Sequence, residues 1–307
     1  MSCPALLTAP PGVIPLFKIL GNTVAFADTL YLFTANDFLT FAIPTTLFAT
    51  FGSLSGPVIT TNPSPSLVSI LSRIPIALLV VWANLLIFNI SNQRSPLVVE
   101  DKVNKPHRPL PSGRVTSDGA RRILLVTIPL VLLLGWALNC WQETLMLFMM
   151  TWMYNAMGGS DDNWVLRNLF VALGYGMYSS AALRVMIGVG EEVTSKGLQW
   201  VGGVMVVMFG TQHICDIKDV EGDKVMGRRS APIVLGNDLV RWSVAPPVVV
   251  GSMVCSYFFD LGISSYVIAL AIGGLVAFRT LAYRGLRSDK MTWKVWTLWI
   301  CWLSRCR

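Results

Sequence analysis

Asp216-Ile217-Lys218-Asp219-Val220-Glu221-Gly222-Asp223 closes one long apolar segment, and Glu100-Asp101-Lys102-Val103-Asn104-Lys105-Pro106-His107-Arg108-Pro109-Leu110-Pro111-Ser112-Gly113-Arg114 follows another. Basic residues flank both stretches, and Gly227-Arg228-Arg229 trails the first. Outside these loops the chain is apolar. Of its 307 residues 53% are hydrophobic and 13% charged, against roughly 25% charged in soluble domains. Such sparse charge, gathered between long apolar runs, predicts an all-α polytopic bundle in a lipid bilayer.

The runs are read as about nine transmembrane helices, near 38–56, 67–91, 121–141, 143–158, 165–188, 198–216, 239–258, 262–284 and 291–305. They form a single domain over residues 1–307, with residues 1–37 as an interfacial segment ahead of the first span. The stretches 52–65 and 158–163 read as turn-rich loops. No basic region precedes the first apolar residues, so a cleaved signal peptide is not expected.

The charges sort by side. Arg94, Lys102, Lys105, Arg108 and Arg114 lie after the second helix; Lys218, Lys224, Arg228 and Arg229 after the sixth; Arg284, Arg287, Lys290 and Lys294 after the eighth. Loops of the other parity are almost bare, with Lys196 the clearest exception. Both acidic loops therefore face one side, and by the positive-inside rule that side is the cytosol. This accounts for the net charge of +7 without a nucleic-acid partner. Six scattered cysteines lack a Cys-x-x-Cys pair and read as small apolar packing residues. No feature sets an oligomeric state.

Asp216, Asp219 and Asp223 are spaced i, i+3, i+7, which on one helix puts all three on one face. Three like charges there repel unless a cation joins them. Mg²⁺ suits the set, because it takes oxygen ligands from one or two carboxylates and completes its shell with water and phosphate. In the other loop Glu100 and Asp101 are the acids, and Asn92 at the end of the second helix is a further ligand candidate. Lys105, Arg108, Arg114, Arg228 and Arg229 are the groups suited to diphosphate oxygens. The prolines at 96, 106, 109 and 111 break any continuous helix and stiffen the loop. Carboxylates beside cations at the end of a dry helical bundle suit a metal-bound polyphosphate carrying an isoprenoid tail.

Asn104-Lys105-Pro106-His107-Arg108-Pro109-Leu110-Pro111-Ser112-Gly113-Arg114, together with Asp216-x-x-Asp219-x-Glu221-Gly222-Asp223, resembles the UbiA superfamily of intramembrane prenyltransferases. The resemblance implies a helical bundle with a central cavity, in which Mg²⁺ bridges two motifs to a prenyl diphosphate. One departure matters. The family's first motif carries further aspartates upstream; Asp101 matches the last, while the two earlier positions hold Arg94 and Leu97. That pattern resembles a fungal branch of UbiA-type terpene cyclases, and implies cyclisation of a linear prenyl diphosphate over transfer to an aromatic acceptor. Residence in an endomembrane is implied by the same analogy.

Tyr175, Tyr178 and Phe209 are expected to line the cavity, where ring faces stabilise a carbocation. His213, a triplet before Asp216, reads as an ordinary hydrogen-bonding residue at a membrane edge. Arg184 and Arg279, near helix ends, read as snorkelling side chains. A transporter would place polar groups at mid-membrane on broken helices; here they gather at one edge.

Overall fold

Among the described residues the apolar runs become helices in the order the sequence predicts, with the expected count of nine spans only approximately met. The structure is a computed structural model that describes residues 16–94 and 98–305. Pro96, Leu97, Cys3, Cys306 and residues 1–15 of the expected interfacial segment lie outside the described residues. Among those described, regular structure is helical throughout apart from one bridge pair, Thr60 with Val193.

The helices are α1 (Leu16–Asp37 continued through a π-turn, Phe38–Ala42, into Ile43–Leu54), α2 (Leu67–Arg94), α3 (Ser117–Ala137), α4 (Trp141–Thr151 continued by a π-turn, Trp152–Ala156), α5 (Trp164–Ile187), α6 (Ser195–Thr211), α7 (Asn237–Phe258), α8 (Ile263–Ala282) and α9 (Leu286–Leu303). Seven described helices are long and apolar enough to cross a membrane; α4 and α9 are not among them. The chain is an integral membrane protein. The described part of the segment read as interfacial is helical and runs unbroken into the first span, and the candidate span reaches back to Thr23.

The most enclosed of the spans is α5, which packs against α1, α2, α4 and α6. The remaining helices follow in sequence: α2 against α3, α3 against α4, α6 against α7, α7 against α8 and α8 against α9. Contact of α9 with the Ile43–Leu54 part of α1 closes the ring. Prolines 75, 129, 246 and 247 sit inside helices, as membrane helices tolerate when neighbours satisfy the freed carbonyls. Both π-turns lie beside the site described below. Such bulges let a helix add a residue and redirect a side chain, and they gather at functional positions.

Side-chain caps fix the starts of three spans. Thr116 accepts from Gly119 N at 3.0 Å, Asn163 from Leu166 N at 2.8 Å, and Thr194 from Gly197 N at 3.1 Å. Each satisfies an amide that the first turn leaves without an intrahelical partner. The Asn163 cap sets the first turn of α5, which carries Arg167. Replacing Asn163 with Ala should lower stability by about 1 kcal/mol, read as a lower thermal midpoint in detergent. An unchanged midpoint would mean water or a neighbour caps α5 equally well.

Candidate active site

The two acidic stretches meet. The earlier one in the chain forms a short helix, Val98–Asn104, ended by Pro106, and this turns Glu100 and Asp101 inward, where both are buried. The second does not form one helix. Ile214–Ile217 ends at Lys218, and a new helix, Val220–Met226, starts after Asp219. The predicted single face of Asp216, Asp219 and Asp223 is therefore broken at Lys218-Asp219, and each acid finds a different cation.

Asn104 joins the stretches. Its Nδ2 donates to the Asp219 carbonyl at 2.9 Å, and its Oδ1 accepts from Gly222 N at 3.2 Å. The Asp219 side chain makes no cap at the start of Val220–Met226, so an amide from the other motif serves that helix.

Cations thread the acids together. Arg108 forks onto Asp101 at 2.9 and 3.1 Å, and its Nη2 reaches Asp37 at 3.0 Å. Lys105 lies 3.4 Å from Asp219, 3.7 Å from Glu100 and 3.8 Å from Asp101. Lys218 holds Asp219 at 2.8 Å. Arg228 donates to Glu100, to Asp223 at 2.8 Å and to Asp161 at 2.9 Å. Arg167 on α5 holds Asp216 through Nη2 at 2.9 Å and Nε at 3.2 Å.

The electrostatics are uneven. Burial alone would raise the Glu100 carboxyl, but Lys105, Arg228 and Arg167 hold it down to about 2. Asp219 likewise sits below the usual carboxylate range, because Lys105 and Lys218 outweigh its burial. Asp223 goes the other way, to about 6, first through burial and then through the nearby charge of Asp216. Its Oδ2 is buried with no hydrogen-bond partner. Seven carboxylates (Asp37, Glu100, Asp101, Asp161, Asp216, Asp219, Asp223) face five cations (Lys105, Arg108, Arg167, Lys218, Arg228). The cluster thus carries two negative charges in excess.

Fitness for Mg²⁺ follows from the donor set. Hard carboxylate oxygens, an orphaned Oδ2 and a net negative cluster fit a divalent cation that fills most of its shell from water and phosphate. Among the described residues no three acidic, His or Cys side chains converge to hold an ion by themselves. Glu100, Asp101, Asp216, Asp219 and Asp223 are the residues that would hold one jointly with a diphosphate.

Four sequence-predicted residues lie elsewhere. The Asn92 amide donates to Asn155 at 3.0 Å, in the π-turn of α4, because the end of α2 faces α4 there. Arg114 pairs with Asp28 at 2.7 Å and with Thr29 on α1. Arg229 is exposed beside the buried Arg228. Phe209 is 38% exposed on the outer surface of α6, since its neighbours His213 and Gln212 take the inward direction. Tyr178 does line an apolar chamber, with Phe41, Leu85, Phe88, Leu147 and Tyr154. Tyr175 packs beside it on Phe41, ring centres 5.5 Å apart. His213 hydrogen-bonds Asn168 and Ser243, and Arg184 pairs with Glu143.

Asp37, Tyr154, Asp161 and Arg167 join the candidate site, and none was among the residues predicted for it. Asp37 and Arg167 had a signal, each being an ionisable residue within an otherwise apolar helix. Asp161 lay in a stretch read as a turn. Tyr154 is the link between polar and apolar regions: its ring lines the chamber, and its hydroxyl accepts from Arg167 Nη1 at 2.5 Å.

Fold and site together define a polytopic α-helical membrane protein with a buried acid–base network that Tyr154 links to a small apolar pocket. The chain belongs to the UbiA prenyltransferase family, whose match spans residues 42–302. It is 28% identical to somaliensene A/B synthase of Streptomyces somaliensis over 88% of each chain. It is 32% identical to the fumagillin beta-trans-bergamotene synthase af520 of Aspergillus fumigatus over 72% of this chain and 71% of that one. The fold also matches a UbiA homolog from Archaeoglobus fulgidus bound to GPP and Mg²⁺, with a TM-score of 0.64, 19% identity, and coverage of 90% of this chain and 97% of that one.

Proposed function

We propose that this protein is a membrane-embedded, Mg²⁺-dependent terpene cyclase. It ionises a linear prenyl diphosphate of farnesyl or geranylgeranyl length, closes one or more rings without an acceptor, and releases diphosphate. One observation carries the reading: Tyr154 is at once a wall of the apolar chamber and a partner of Arg167, which holds Asp216. A tail in the chamber would have its head among the motif acids. Relatives named as terpene synthases, matched over most of their length, support cyclisation over transfer. So does the first motif, where Arg94 stands in place of an expected acid and turns to the Ser117 carbonyl at 3.1 Å.

Bound Mg²⁺ would supply the positive charge that stabilises a departing diphosphate. Glu100, Asp101, Asp216, Asp219 and Asp223 would hold it. Lys105, Arg167 and Arg228 neutralise the leaving group as the allylic carbon–oxygen bond breaks and its electron pair stays with diphosphate. Arg108, paired with Asp101 and Asp37, keeps Asp101 in place. The carbocation then lies against the rings of Phe41, Phe88, Tyr154 and Tyr178, which attract positive charge, and after ring closure it gives up a proton to the released diphosphate, leaving a neutral cyclic terpene. Apolar walls exclude the water that would quench it. The motif loops face the cytosol on this reading, by their excess of Lys and Arg, and the host bilayer is an endomembrane.

Membranes containing the protein, given farnesyl or geranylgeranyl diphosphate with Mg²⁺ and no acceptor, should yield a cyclic terpene by gas chromatography and mass spectrometry. A prenylated aromatic formed only when an acceptor is added would overturn cyclisation and point to transfer.

A further inference from the structure

Arg228 is encircled. Glu100 comes from Val98–Asn104, Asp161 from the short helix Gly159–Asp162, and Asp223 from Val220–Met226. The Arg228 side chain reaches all three with Nε and Nη1 alone, and it is 3% exposed. Three oxygen donors around one buried positive charge are the surroundings a divalent cation takes. Guanidinium stays charged at any working pH, so it neutralises these acids without a proton. The compensation is incomplete: Asp223 gives Oδ1 to Arg228 and leaves Oδ2 buried without a partner.

Resting on the function proposed above, we infer that Arg228 is an exchangeable counter-ion. In the free protein it holds Glu100 and Asp223 together against their mutual repulsion. When the metal and diphosphate enter, the acids pass to the metal and the guanidinium passes to diphosphate oxygens. Asp161 makes that transfer a pivot. It belongs to neither motif, its side chain is 33% exposed at the rim, and it grips Nε, the root of the fork, whereas the two motif acids share Nη1. Releasing Nη1 frees the tip while Nε stays anchored. Metal alone must displace Arg228 against its charge, while metal with diphosphate offers the guanidinium a new partner. The site therefore loads the two together and resists metal on its own.

The test uses the full chain in nanodiscs with two probes, Mn²⁺ followed by electron paramagnetic resonance and inorganic diphosphate followed by calorimetry. Mn²⁺ stands in for Mg²⁺ because both favour octahedral oxygen ligands. Replacing Arg228 with Gln should tighten Mn²⁺ binding without diphosphate by at least about tenfold, and weaken diphosphate binding in the presence of Mn²⁺ by a similar factor. Arg228→Lys keeps a charge but not the fork, and should fall between wild type and Gln on both measures. It also decides the matter if the Gln variant does not fold. A rigid strut would behave differently, with Mn²⁺ affinity unchanged or lowered in both variants, and that result overturns the exchange. Wild type that binds neither probe would overturn the metal–diphosphate reading itself. Wild type that binds Mn²⁺, with no tightening in either variant, sinks the exchange alone.

Discussion

Replacing Asp216 with Asn should reduce turnover by roughly a thousandfold or more, with product formation measured at saturating prenyl diphosphate and Mg²⁺. The side chain keeps its size, so packing is conserved; what is lost is one negative charge at the mouth of the chamber. Asp216 is 1% exposed and held from two sides of the Arg167 guanidinium. A neutral amide is a poor Mg²⁺ ligand, and it leaves Arg167 without its carboxylate. The second effect could mimic the first, because an unpaired buried charge costs about 3–5 kcal/mol in stability. A double variant separates them. Arg167→Gln combined with Asp216→Asn restores the charge balance and should recover most of the lost thermal stability. Activity should stay low. Recovery of turnover in the double variant would show that Asp216 serves only to satisfy Arg167, and the metal assignment would fall.

What was legible in the sequence was whatever depends on neighbours in the chain. Hydropathy located the helices because most are continuous apolar runs; seven of the described helices are apolar and long enough to span, and the shorter or more polar α4 and α9 made the expected count of nine approximate. The even number of spans between the acidic stretches predicted one face, and the ion pair of Lys105 with Asp219 agrees. The helix of α1 begins well before the apolar run at 38–56, because Thr23, Asp28 and Asn36 dilute the apolar character of its first half without breaking the helix. Helical periodicity also failed at Lys218-Asp219. A spacing of i, i+3, i+7 describes a face only while the helix continues, and here a turn sends each acid to its own cation.

Partners across the bundle were invisible for a different reason. Asp161 and Arg167 matter because α5 and the short helix before it meet the second motif and Arg228, 49 and 67 residues onward. Nothing in their local sequence encodes that meeting. Conversely, Arg114 looked like a diphosphate ligand by its place in the first motif, and Asp28 on α1 claims it instead. The three-dimensional arrangement redistributes the cations. Those with deeply buried carboxylate partners serve the cluster, and those at its edge tie the loop to the bundle.

Gly222→Ala should lower turnover by about a hundredfold while the helices stay folded. A methyl group at Gly222 would fall 2.6 Å from Asn104 Cγ and 2.9 Å from its Oδ1, closer than side-chain atoms approach. The Asn104 side chain can rotate away, so the backbone is not at risk. Rotation abandons the bonds to the Asp219 carbonyl and to Gly222 N, the only hydrogen bonds from Asn104 to the second motif among the described residues. Each such bond is worth about 1 kcal/mol, so the thermal midpoint falls by only a few degrees and the bundle stays folded. Catalysis is less forgiving, because a displacement of about 1 Å between groups that must act together can cost about a hundredfold. Glu100 on one side and Asp223 on the other would no longer be held at a set separation. Asn104→Ala tests the route of the effect. If the glycine matters only by giving Asn104 room, the double variant should be no worse than either single one, a non-additivity that neighbours in one network show. Near-normal turnover in Gly222→Ala would mean the ion pairs of Lys105 and Arg228 align the motifs unaided. A loss that simply multiplies with that of Asn104→Ala would assign Gly222 a separate role, such as admitting the diphosphate close to its backbone amide.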